Sequence, residues 1–98
     1  MPCSRDTIFH MDALVVLLRS ALHRWETSPR SLTYERCRVM NLAVLRVRRE
    51  WILGRMEEAR RVACTIHPAH VRRCFPCSKD ERKRALTALA TMKHALVV

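Results

Sequence analysis

Five side chains able to ligate a metal or act as nucleophiles fall within fourteen residues: Cys64, His67, His70, Cys74 and Cys77. Cys74 and Cys77 have two residues between them, the spacing at which neighbouring thiolates grip one tetrahedral ion. Cys64 and His67, three apart, share one face of a helical turn. A Zn2+ site of Cys64, His67, Cys74 and Cys77, with His70 as substitute for either of the first two, is one reading of the cluster. The six residues between the two pairs are a shorter connector than zinc modules usually have. Two other readings stand beside it: buried free thiols with incidental histidines, and a Cys74–Cys77 disulfide that lacks the βαβ surroundings of a thioredoxin-like site.

The other chemistry in the chain is basic. Of nineteen Lys and Arg, sixteen are Arg, and the formal charge is +10. The guanidinium fork matches phosphate and keeps its charge through partial burial. The charge is uneven: residues 1–30 carry +1, 31–66 carry +4, 67–84 carry +4 and 85–98 carry +1. A polyanionic partner is the expectation; an inert solvated surface is the alternative.

Helices must position these groups. Residues 31–66 contain no proline and one glycine, and at 100° per residue Cys37, Met40, Val44, Val47, Trp51, Ile52, Ala59, Val62, Ala63 and Ile66 share one half of a cylinder. The opposite half carries Arg36, Arg38, Arg46, Arg49, Arg60 and Arg61. Arg38, Arg49 and Arg60 recur every eleven residues, so a straight helix lines them up as a ridge roughly 33 Å long, about one turn of a nucleic-acid duplex. Arg48 and Arg55 fall on the apolar side and must snorkel or pair with a carboxylate. Gly54 is the expected site of a kink.

Ahead of this long helix, residues 6–27 form another, capped by Asp6 or Thr7, with Ile8, Met11, Val15, Leu18, Leu22 and Trp25 as its stripe and Leu14, Leu17 and Ala21 widening it. Pro29 breaks it, and Ser28 or Ser31 caps the long helix; so short a turn makes the two helices an antiparallel hairpin. Pro68 ends the long helix, and residues 64–77 form a Cys/His-rich elbow. Ser78 and Glu81 fit a capping box that starts a third helix over 78–96, with Ala85, Leu86, Leu89, Met92 and Leu96 as its seam. Lys79, Arg82 and Lys83 crowd its first turn against the helix dipole, a cost that bound phosphate would relieve.

The expectation is therefore one all-α domain over residues 1–98, a thin core completed by homodimerisation into a bundle. Five cysteines and no convincing secretory signal point to a reducing compartment, cytoplasm or nucleus. The longest apolar run, Ala13 to Leu18, is far below the roughly 20 residues that span a bilayer. With one glycine there is no phosphate-cradling loop, and no catalytic carboxylate pair is visible, so a binding protein rather than an enzyme is expected.

The function expected is sequence-independent binding of double-stranded RNA, ahead of DNA, through Arg36, Arg38, Arg46, Arg49, Arg60, Arg61, Arg72, Arg73, Lys79, Arg82 and Lys83. Trp25 and Trp51 lie on apolar faces, which leaves Tyr34 and Phe75 as candidates for base stacking. In general type the chain resembles small Arg-rich helical accessory proteins of viruses, which implies sequestration of double-stranded RNA from host silencing. The alternative is a helical interaction module, zinc-stapled or not, for an acidic or helical protein partner; adsorption to anionic membrane is a third reading.

Overall fold

The computed structural model describes residues 4–27 and 31–97. Cys3, the expected turn at Ser28, Pro29 and Arg30, and Val98 lie outside them. Among the described residues are five helices and no strand: α1 (Ser4–Trp25), α2 (Leu32–Ile52), α3 (Met56–Cys64), α4 (Pro68–Arg73) and α5 (Lys79–Val97). The all-α class stands.

Local signals place several boundaries. Ser31 caps α2, accepting the Tyr34 N–H at 3.1 Å, and Ser78 takes up the Glu81 N–H at 3.2 Å before α5; each satisfies a donor that has no partner inside its helix. The Glu81 carboxylate meets Arg24 at 2.9 Å, fastening the start of α5 to the end of α1. Asp6 and Thr7 lie inside α1 rather than at its cap.

The single helix expected over 31–66 is instead two helices. At Gly54, φ is +78°, and its N–H bonds the Trp51 carbonyl at 3.0 Å while the Arg55 N–H bonds the Glu50 carbonyl at 2.9 Å. This is a Schellman closure, in which a left-handed residue lets the chain cap its own last carbonyls. A Cβ at Gly54 would meet nothing within 4 Å, so the backbone angle and not space calls for glycine. The chain then turns back. Glu57 and Glu58 favour the N-terminal end of α3, and Ala59, Val62 and Ala63 bury its inner face. Ile52, expected inside, is 53% exposed because α2 ends there.

The elbow is also more ordered than expected. Pro68, expected to end the preceding helix, instead begins α4 four residues after α3 ends at Cys64; proline's missing N–H and fixed φ suit the first helical position. Val71, Cys74 and Phe75 from this segment are fully buried, and Phe75 is the largest side chain shut off from solvent. It packs in one core with Met11, Leu14 and Leu18 of α1, Val44 and Val47 of α2, and Leu89, Met92 and Leu96 of α5. Burying a phenylalanine contributes about 1.5–3 kcal/mol. Arg82 fastens the following loop, its Nε–H donating to the Phe75 carbonyl at 3.1 Å.

Candidate nucleic-acid interface

The eleven-residue ridge does not form as one row. Arg38 and Arg49 stay on α2, but Arg60 lies on the returning α3 and donates its Nε–H to the Leu96 carbonyl in the last turn of α5. Arg38 is held by Glu35, 2.8 Å away on the same helix. Around the Gly54 corner the other ridge cations are paired: Arg46 with Glu58 at 2.9 Å, Arg61 with the same carboxylate, and Arg49 with Glu50 at 3.2 Å. Arg55 reaches the buried Glu50 from the other side at 3.5 Å, which is how a carboxylate with 3% of its side chain exposed keeps a counter-charge. Glu58 is held below its ordinary pKa, first by the hydrogen bond from Arg61.

At the other end of α2 the balance differs. Arg36 on the first turns of α2, Arg72 and Arg73 on α4, and Lys79 and Lys83 at the start of α5 have no carboxylate within 4 Å among the described residues. Arg36 and Arg73 line one cleft of about 460 Å³ between α2 and α4, with His70, Thr65 and Glu35 on its wall, the last paired with Arg38, and Val39, Met40 and Ala43 as its apolar lining. Lys79, Arg82 and Lys83 line a second of about 480 Å³ along α5, with Thr87 and Thr91. The molecule measures 42 × 23 × 19 Å, and α2 alone spans about 31 Å, so the compensated corner and the uncompensated elbow are separate ends.

The cysteine and histidine cluster is dispersed. Cys64 is exposed at the end of α3, and Cys77 is exposed in the loop before α5. His67 and His70 meet edge to face, ring centres 5.5 Å apart. Cys74 is buried, its thiol donating to the His70 carbonyl at 3.3 Å. Among the described residues no three His, Cys, Asp or Glu side chains are grouped as ligands for one ion, so Cys64, His67, Cys74 and Cys77 are not gathered as the spacing suggested. The cause is α4: as Val71, Cys74 and Phe75 enter the core, the Cys74 sulfur turns inward. Phe75 is likewise a core residue and not a stacking platform, while Tyr34 is half-buried.

Sequence reasoning missed that signal, although it was present: Val71, Cys74 and Phe75 stand at i, i+3 and i+4, the spacing of a buried helical face. It also missed the exposed apolar groups. Leu32, Val39, Leu42 and Leu53 are each 45–65% exposed on or beside α2, and Phe9 and Val16 are exposed on α1.

No described helix is long and apolar enough to cross a membrane. Compared with known protein families, curated proteins and solved structures, the chain matches none.

Proposed function

We propose that this chain binds duplex nucleic acid without reading its sequence, duplex RNA ahead of DNA, and that it does so through the elbow end rather than along a single rod. One observation carries the reading: Arg36, Arg72, Arg73, Lys79 and Lys83 are gathered there from three helices without carboxylate partners among the described residues, whereas the corner cations are neutralised. Unpaired guanidinium and ammonium groups displace counterions from phosphates whatever the bases are. Sequestering double-stranded RNA is the task this chemistry suits.

Gel shifts at about 150 mM salt on duplex RNA, duplex DNA and single strands test it, followed by a salt titration. The slope of log affinity against log salt should lose about one for each contacting cation removed. Arg73→Ala and Lys83→Ala should therefore flatten it, and Arg49→Ala should not. Absence of a shift on every polymer would overturn the proposal.

The exposed Leu32, Val39, Leu42 and Leu53 favour a second reading, a helical partner or a second copy of the chain packed on α2. Light scattering across a concentration series separates it: a dimer insensitive to salt supports apolar packing there.

A further inference from the structure

Two of the four described cysteines meet inside the protein. Cys37 of α2 and Cys74 at the end of α4 expose no surface. The Cys37 thiol donates to the Cys74 carbonyl at 3.7 Å, the Cys74 thiol donates to the His70 carbonyl at 3.3 Å, and the two thiols are near enough to shift each other's ionisation in opposite directions. The cleft between α2 and α4 is lined by Arg36, Met40, His70 and Arg73. These residues bracket Cys37 and Cys74 in the sequence, so solvent reaches the immediate neighbours of both thiols.

We propose that Cys37 and Cys74 form an oxidative modification site, which a small hydroperoxide converts into a disulfide tying α2 to the end of α4. The neighbouring Cys74 side chain holds the Cys37 thiol below its ordinary pKa, whereas Cys37 and burial push Cys74 above its own. Cys37 is thus the first nucleophile. Its thiolate attacks a peroxide oxygen, the O–O bond breaks, and hydroxide leaves to take up a proton as water, giving a sulfenic acid on Cys37. The Cys74 sulfur then attacks the Cys37 sulfur. The S–S bond forms, the S–O bond breaks, and the departing hydroxide takes the Cys74 proton as a second water. Two thiols lose two electrons in all, and one peroxide gains them. The nearby charge of Arg36 favours loss of the Cys74 proton. α4 is six residues long between two loops, a segment short enough to shift as the sulfurs close to the roughly 2.05 Å of the bond.

The test uses the full chain with Cys3, Cys64 and Cys77 changed to serine, leaving the internal pair alone. Hydrogen peroxide is added in native buffer, remaining thiols are alkylated in denaturant, and the peptides are mapped by mass spectrometry. Two free thiols should fall to none, with the Cys37 and Cys74 peptides joined, the chain still monomolecular, and both thiols restored by dithiothreitol. Full alkylation of both after peroxide, a sulfinic acid on one of them, or covalent dimers would each overturn the proposal. The wild-type chain provides the same readout should the triple variant fail to fold: a Cys37–Cys74 linkage supports the site, and a Cys74–Cys77 linkage in its place defeats it. Nucleic acid is absent from the assay, so the result stands apart from the function proposed above.

Discussion

Arg48 on α2 donates its Nε–H to the Asp12 carboxylate on α1 at 2.7 Å, joining residues 36 apart in the chain. The pair closes the α1–α2 hairpin from outside, while Leu14, Leu18, Val44 and Val47 close it from within. Both side chains are more than one-third exposed, so solvent screens the attraction. A double-mutant cycle with Arg48→Ala and Asp12→Ala, followed by denaturant unfolding, should give a coupling of about 0.2–1 kcal/mol that shrinks with added salt. Strict additivity at low salt would mean that the contact contributes nothing.

Gly54 offers a test whose sign differs between a turn and a rod. In an uninterrupted helix Gly54→Ala would stabilise by about 1 kcal/mol. At φ +78° it should instead destabilise by about 1–2 kcal/mol, with Gly54→Asn costing less because asparagine tolerates the left-handed region. Chemical denaturation of the three proteins decides it; a more stable alanine variant would restore the single long helix.

Phe75→Ala should cost about 3–5 kcal/mol. For a chain of this size, whose total stability is on the order of 5–15 kcal/mol, that is a large share, and the melting temperature should fall steeply. A variant that melts like wild type but shifts less nucleic acid would return Phe75 to the candidates for base stacking.

Acid should weaken the corner between α2 and α3. Glu58 has its folded pKa held below the ordinary 4.5, first by the Arg61 hydrogen bond and also by the charges of Arg61 and Arg46. A carboxyl lowered on folding stabilises the native state above its ordinary pKa, and that contribution is lost as pH falls through the lower folded value. Glu35, lowered first by the hydrogen bond from Arg38, adds in the same direction. Melting temperature should therefore drop as pH falls below about 4.5, and Glu58→Gln should make the decline shallower. Parallel pH profiles for the two proteins would exclude this origin.

What was legible in the sequence was local. The caps at Ser31 and Ser78 act over three residues, and the apolar stripes of α1 and α5 follow one helical period from end to end. The reversal at Gly54 was less visible, because the apolar positions before and after it keep phase whether the chain runs straight or folds back. Only the cover that α3 gives α2 separates those cases, and that is a tertiary fact. In the elbow two signals competed: the Cys and His spacing suggested a metal, and the Val71, Cys74 and Phe75 spacing a buried face. The second prevailed because a short chain needs every apolar side chain it can enclose. Pro68 was read as an ending and marks a beginning.

The corner built around Gly54 has an effect well beyond its own stability. There four guanidinium groups, those of Arg46, Arg49, Arg55 and Arg61, stand against the carboxylates of Glu50, Glu57 and Glu58, leaving that tip nearly neutral while positive charge accumulates at the far one. The charge is therefore unevenly shared between the two ends of α2. In the field of any large polyanion such a distribution would produce a torque as well as an attraction, with the elbow leading.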